Sequence, residues 1–405
     1  MNEKFITKAV DDVSFALGAN IDYDKAKGVL TLSHETAITT FLADNHLTEI
    51  TPRSTACSQE LIKRIEATEM PSTDEEKAEA MQIRPAYWKY LGWAAHIARM
   101  TVPWAITACS IAAKFMANPG KVHMELVMHI IAHLAYVVKK KIWRRFKRPK
   151  GFNPKKSALY LCFMVDSDHR GNKSGTSNSG LAVFICGMFL CGSRKPQKCI
   201  TMNTCESEFV SMAGGSQFAV WLLLMLQEAR FKIDYPAALV GDNTAAIATT
   251  YSAGTKYARH IDLKSKFVCR VAKKKDIVIA YINTHSNVSD HFTKIVDPKS
   301  FARFMNWMAN GLDEKFDDEI VTTLETLFQE CRMRDMAAEM KEKREKQRLL
   351  DEAARTSGGV TPQSDRDVTG PSAGTTVNNN STSMTSGAPS NKSNKIRVKR
   401  RRRHR

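Results

Sequence analysis

Four acidic residues stand where a metal-dependent phosphodiesterase would need them. Asp166 lies near the end of an apolar run (Leu161-Cys-Phe-Met-Val-Asp-Ser-Asp168), and Glu208 falls in the first turns of a helical segment that follows Asn203. Asp242 follows the short apolar stretch 237–240, and Asp290 precedes His-Phe-Thr-Lys294. Phosphodiester hydrolysis by two divalent ions needs several carboxylates converging on cations a few ångströms apart, one ion activating water and the other stabilising the leaving oxygen. Hard oxygen ligands select magnesium or manganese. The sequence therefore predicts Asp166, Glu208, Asp242 and Asp290 as catalytic residues and metal ligands for two such ions. Each also has a plainer role. Asp166 and Asp168 share a strand face and either could cap a turn; Asp242 sits in a Gly-Asp-Asn turn; Asp290 could N-cap its helix. Glu206, three residues after Asn203, reads as half of a capping box, which leaves Glu208 as the ligand of that helix.

The elements that must position these groups follow from periodicity. Ala158 to Val165 is a continuous apolar strand, Gly180 to Phe189 a second and Lys198 to Met202 a short third, together an antiparallel meander. A helix from Glu206 to Phe231, a strand at Ala237 to Val240, helices from Thr244 and over Asp262 to Lys273, and a strand at Ile277 to Ile282 then add parallel strands to the same sheet. Upstream, residues 15–47 read as a hairpin turning at Lys25-Ala-Lys-Gly28, followed by a helix; 52–83 as a polar, partly helical linker; and 87–134 as a helical hairpin broken at Pro103 and Asn118-Pro-Gly120.

At 405 residues the chain has room for two domains and a tail, at about one domain per 150 residues. The net charge of +18 is concentrated in two places. Eight cations without an acid fall between Lys139 and Lys150, and nine more between Lys392 and Arg405, so the rest is near neutral and a histone-like protein is excluded. The block at 139–150 interleaves cations with Trp143 and Phe146. Lys139, Lys140, Lys141, Trp143, Arg144, Arg145 and Lys147 are its candidate nucleic-acid contacts, against the alternatives of an anionic membrane surface or plain solvation. The terminal Lys399-Arg-Arg-Arg-Arg403 has the composition of a nuclear-import signal or a nucleic-acid arm. No apolar run reaches the roughly 18 residues of a membrane span, and the first twelve residues have no signal-peptide pattern. Nine cysteines without a CxxC point to buried thiols in a reducing compartment, nucleus or cytoplasm.

Residues 158–295 resemble the ribonuclease H domain of copia-type retrotransposon polyproteins. The motifs, in the family's order, are Asp166-Ser-Asp-His-Arg-Gly171, Gly175-Thr-Ser-Asn-Ser-Gly-Leu181, Cys205-Glu-Ser-Glu-Phe209, Asp242-Asn243, Arg259-His-Ile-Asp262 and Val288-Ser-Asp-His-Phe-Thr-Lys294. The resemblance assigns the same four acids as ligands and adds His260 as a candidate contact to substrate backbone, or a hydrogen bond at its helix start. Residues 5–134 resemble the segment after the polymerase site, through Leu17-Gly-Ala-Asn-Ile-Asp22, Pro52-Arg-Ser-Thr55, Leu91-Gly92 and Phe115-Met-Ala-Asn-Pro119. The chain has no Tyr-x-Asp-Asp, so no DNA synthesis is expected. It departs from the family at Thr101-Val-Pro-Trp104, where Thr-Arg-Pro-Asp is usual, and at Ala132-His-Leu-Ala-Tyr136, where Arg-Tyr-Leu-Lys-Gly is usual.

The expected organisation is a reverse-transcriptase thumb or connection remnant at 1–135, a basic linker at 136–156 and a ribonuclease H-like α/β domain with a mixed sheet at 157–312. A charged helix at 313–355 and a disordered tail with a basic end at 356–405 follow. The expected activity is endonucleolytic hydrolysis of the RNA strand of RNA–DNA hybrids, with the remainder of a Pol polyprotein as a further partner. The alternative is a nucleic-acid-binding remnant without turnover.

Overall fold

The computed structural model describes residues 13–312, apart from 70, 150, 154–155, 173–174, 234–235 and 252–261, together with Glu345. The rest of the charged helix, the tail and His260 lie outside the described residues.

The first layer is a small antiparallel sheet and a helical stack. Strands β1 (Phe15–Ala16), β2 (Ala19–Asp24) and β3 (Val29–Ser33) form the expected hairpin, Asp24 pairing with Val29. Asp24 stabilises the turn by accepting the Lys27 N–H at 2.9 Å. Helix α1 (Glu35–Asp44) follows, then α2 (Gln59–Ala67) and α3 (Asp74–Met100), the last opened by a reciprocal capping box between Thr73 and Glu76. Past Pro103 come α4 (Ile106–Ala113) and α5 (Lys121–Lys140). Lys141, in the left-handed region at φ 52°, ends α5 and turns the chain into β4 (Arg144–Lys147), which pairs antiparallel with β3. Residues 136–156 are thus not a linker in this structure: their first part is the last turn of α5 and their middle is a sheet strand.

The second sheet has five strands in the order β7-β6-β5-β8-β9. Strands β5 (Leu161–Asp168), β6 (Asn178–Ile185) and β7 (Met188–Pro196) form the antiparallel meander, and after α6 (Thr204–Glu228), β8 (Ala237–Gly241) joins β5 in parallel. Helices α7 (Thr244–Tyr251) and α8 (Asp262–Lys273) lead to β9 (Ile277–Tyr281), parallel to β8. This is the mixed sheet of an antiparallel meander with added parallel strands that the sequence predicts. The third strand is displaced from the expected 198–202 to 188–196, because Cys186 and Gly187 both adopt left-handed backbone (φ 48° and 73°) and make a two-residue hairpin turn. Two helices complete the described chain, α9 (Asp290–Thr293) and α10 (Pro298–Asn310). No sequence-based expectation covers α10, although Asp297 N-caps it, Pro298 starts it, and Phe301, Phe304, Met305 and Met308 recur at helical spacing.

Strand β5 is continuously apolar because it is covered on both faces. Leu161, Phe163 and Val165 pack with α6 and α8, whereas Cys162 and Met164 join a cluster that also holds Trp104, Ile130, Phe292 and Phe301. The segments before 135 and after 157 therefore share one apolar core. Helices α5 and α6 are long and apolar enough in composition to cross a bilayer, contrary to the expectation that no stretch is, and 56% of the apolar window of each is buried in the protein.

Candidate active site

The carboxylates are positioned from strand ends and helix starts. Asp166, on β5, pairs with Gly180 of β6, and that glycine decides what lies above it. A Cβ at Gly180 would sit 2.6 Å from the Ser289 carbonyl oxygen and 2.7 Å from Thr293 Cγ2, so only glycine lets α9 lie directly over this part of the sheet. Thr293 Oγ1 then donates to Asp166 Oδ2. Buried Asn287 pins the approach to α9 by donating to the Val165 carbonyl at 3.0 Å, while its own Oδ1 accepts the Ser289 N–H.

Glu208 faces inward from the second turn of α6. Asn203 accepts the Glu206 N–H at 2.9 Å and Glu206 accepts the Met202 N–H at 2.8 Å, so Glu206 is committed to the helix start, as expected. Ser207 and Ser167 share a 2.7 Å hydrogen bond that locks α6 to β5. In α6, a Cβ on Gly215 would lie 2.6 Å from Val165 Cγ1, which shows how closely helix and strand approach. Asp242 follows β8 and accepts the Thr284 hydroxyl at 2.7 Å, while neighbouring Asn243 caps α7.

Oxygens of Asp166, Glu208 and Asp242 all lie within 4.8 Å of one another. The charge of Asp166 acts on Asp290, but Asp290 stands outside that triplet and pairs with Lys294 Nζ at 2.9 Å. Burial, then the charges of Asp166 and Asp242, push Glu208 up to about 9; burial, then Asp166, push Asp290 up to about 7; burial also raises Asp166. Glu208 Oε2 and Asp290 Oδ1 are buried without a hydrogen-bond donor among the described residues. Crowded, buried carboxylate oxygens lacking donors fit a hard divalent cation, whose charge would offset the repulsion that raises these pKa values.

Asp168, two residues beyond Asp166, has a structural assignment. It accepts from Asn178 Nδ2 at 2.8 Å and pairs with Arg194 at 3.6 Å. Arg194 in turn donates to the carbonyls of Phe292 and Thr293, clamping α9 to β7. Arg194, Thr284 and Asn287 are not singled out by the sequence, because isolated polar residues in strands and loops carry no local pattern, whereas Asn178 lies within the motif Gly175 to Leu181. Thr293 and Lys294 also fall inside one of the motifs, that of Val288 to Lys294, with Asp290. His285 is exposed, and its neighbour Thr284 is the residue that reaches the site.

The basic block needs correction. Trp143 is buried, and Arg144 is buried with its guanidinium donating to the carbonyls of Met100, Phe189 and Leu190, all at 2.8 Å, so neither faces a ligand. Arg145 is half-buried and donates to Asn310 Oδ1 at 2.9 Å. Pairing of β4 into the small sheet turns these groups inward, leaving Lys139, Lys140, Lys141 and Lys147 exposed.

The two departures from the family pattern meet each other. Trp104 Nε1 donates to His133 Nε2 at 2.9 Å, His133 Nδ1 donates to the Arg53 carbonyl at 2.9 Å, and His291 Nε2 donates to the Trp104 carbonyl at 2.7 Å. Burial holds both histidines neutral, each at a pKa of about 4. This network joins the start of α4 and α5 to the residue immediately after Asp290.

No protein-family model matches the chain. Its curated homologues are retrotransposon Pol polyproteins. It is 23% identical over 304 residues to the Pol polyprotein of transposon TNT 1-94 from Nicotiana tabacum (74% of this chain, 22% of that protein). It is 24% identical over 197 residues to that of transposon RE1 from Arabidopsis thaliana (47% and 13%). The chain thus spans about a fifth of the tobacco relative's length and less of the other. Among solved structures, the N-terminal ribonuclease H domain of a Mycobacterium tuberculosis protein is 14% identical, with 36% of this chain and 96% of that one covered at a TM-score of 0.27. Ribonuclease H1 of Halobacterium salinarum is likewise 14% identical, covering 34% and 95% at 0.25.

Proposed function

We propose that the chain is a metal-dependent ribonuclease H that hydrolyses the RNA strand of RNA–DNA hybrids, and that it derives from a retrotransposon polyprotein. The observation that carries this reading is the convergence of Asp166, Glu208 and Asp242 oxygens within 4.8 Å from β5, α6 and the end of β8, with Asp290 beside Asp166. Magnesium or manganese, one or two ions, would supply an activated water and stabilisation of the leaving oxygen. The chain's own groups prepare the site. Asp166 is the central ligand, oriented by Thr293; Glu208 is held rigid by the Asn203 cap and the Ser207–Ser167 bond; Asp242 is oriented by Thr284. Lys139, Lys140, Lys141 and Lys147 would meet backbone phosphates. Nucleus or cytoplasm is the proposed location.

The test is cleavage of an end-labelled RNA–DNA hybrid in magnesium. The wild type should cut internally in the RNA strand, and Asp166→Asn and Glu208→Gln should lower the rate at least about a hundredfold, the scale of removing one preorganised electrostatic group. Equal behaviour of all three proteins refutes the enzyme. Salt-sensitive hybrid binding without cleavage by the wild type would leave a binding module in its place.

A further inference from the structure

The short helix that carries Asp290 also carries or adjoins the two groups that cover the oxygens facing it. Thr293 Oγ1 donates to Asp166 Oδ2, and Lys294 Nζ, one turn beyond Asp290, pairs with Asp290 Oδ2 at 2.9 Å. Asp290 is consequently the one predicted ligand outside the converging triplet, although its other oxygen, Oδ1, is buried and lacks a donor among the described residues. The two partners differ in freedom. The Asp290 side chain is 8% exposed and cannot turn away, whereas that of Lys294 is 52% exposed. Lys294 also lines an open cavity of about 780 Å³, together with Asp168, Lys114, Phe115 and Ile295, so its ammonium can leave without unpacking the fold.

We propose that Lys294 is a tethered stand-in for the second cation. The protein without nucleic acid then holds one divalent ion, at Asp166, Glu208 and Asp242, and Asp290 becomes available to a second ion only when Lys294 swings into the cavity. A backbone phosphate of the bound strand is the anion that receives the displaced ammonium, so loading of the second ion is coupled to substrate binding. Charge sets this order. An ammonium a few ångströms from the Asp166–Asp290 gap repels a divalent ion and occupies one of its ligands, and a long flexible side chain releases that ligand once a competing anion is offered. The inference rests on the metal-site reading above and assigns Lys294 a positioning role.

The test is a manganese titration of the full chain, followed by the electron paramagnetic resonance signal of free ion, without nucleic acid. The wild type and Lys294→Arg, which keeps the charge, should bind one ion tightly. Lys294→Met should bind two, the second at least about tenfold more tightly than in the wild type, equivalent to about 1.4 kcal/mol. Lys294→Gln serves as a second neutral variant, and thermal melting checks that each folds. Adding a hybrid whose RNA strand is 2′-O-methylated, and so cannot be cut, should bring the wild type to two ions. Equal stoichiometry and affinity in wild type and both neutral variants overturns the role of Lys294 while leaving the metal site intact. Unchanged binding in Asp166→Asn shows that the ion is not held by the acidic triplet, and overturns the functional reading with it.

Discussion

Replacing His133 with glutamine should leave the protein near wild-type stability at neutral pH and make it relatively more stable in mild acid. His133 is fully buried and makes two hydrogen bonds that its neutral form alone can make: Nε2 accepts from Trp104 and Nδ1–H donates to the Arg53 carbonyl. A second proton would break the first of these and place a charge in the core. Burial accordingly lowers the folded-state pKa to about 4 from an ordinary 6.5. As pH falls below 6.5 the unfolded chain takes up this proton and the folded chain does not, so stability present above pH 6.5 is lost progressively toward pH 4. At about 1.36 kcal/mol per pH unit, the loss attributable to His133 between pH 6.5 and pH 5 is about 2 kcal/mol. Glutamine has an acceptor for Trp104 and a donor for Arg53 but does not titrate. Urea denaturation of wild type and His133→Gln at pH 7.5 and pH 5.0 measures the difference, and contributions from other groups cancel between the two proteins. A stability gap that changes by less than about 0.5 kcal/mol between the two pH values refutes the assignment of a buried neutral His133.

The crowded carboxylates should act in the opposite direction in metal-free protein. Glu208 and Asp290, raised to about 9 and about 7, keep protons that the unfolded chain has already released. Stability in a chelator should therefore fall as pH rises from 6.5 to 9, and excess magnesium should flatten the trend; thermal melts across that range check it. Arg144→Ala should destabilise by about 2–3 kcal/mol by removing the guanidinium donor from one buried and two partly buried carbonyls, a difference that urea midpoints measure. Neutralising Lys139, Lys140, Lys141 and Lys147 should instead leave urea midpoints unchanged and flatten the salt dependence of hybrid binding, by about 0.9 in logarithmic slope for each phosphate no longer neutralised. Gly180→Ala should push α9 off the sheet, cost about 1–3 kcal/mol and abolish cleavage, and wild-type activity in that variant would show that the position of α9 over Asp166 does not matter.

Much of the site was legible because its signals are local. The continuous apolar run before Asp166, the Asn203–Glu206 cap that left Glu208 as the inward acid, and the turn after β8 that carries Asp242 are patterns a few residues long. The basic block misled for the same reason. Composition marked Trp143 and Arg144 as surface groups, and only pairing of β4 with β3, more than a hundred residues apart, turned them inward.

By itself the sequence determined which acids are present, their order along the chain and the strands and helices that bear them, since propensity, capping and hydrophobic period act within one or two turns. The tertiary structure alone decided that Asp290 lies beside Asp166 yet outside the converging triplet, and is held by Lys294. It also decided that Gly180 makes room for α9, and that Trp104 and His133 answer each other across the core. Those outcomes depend on packing between distant segments, where geometry is set by shape and by the pairing of buried polar groups. No short window of residues records either.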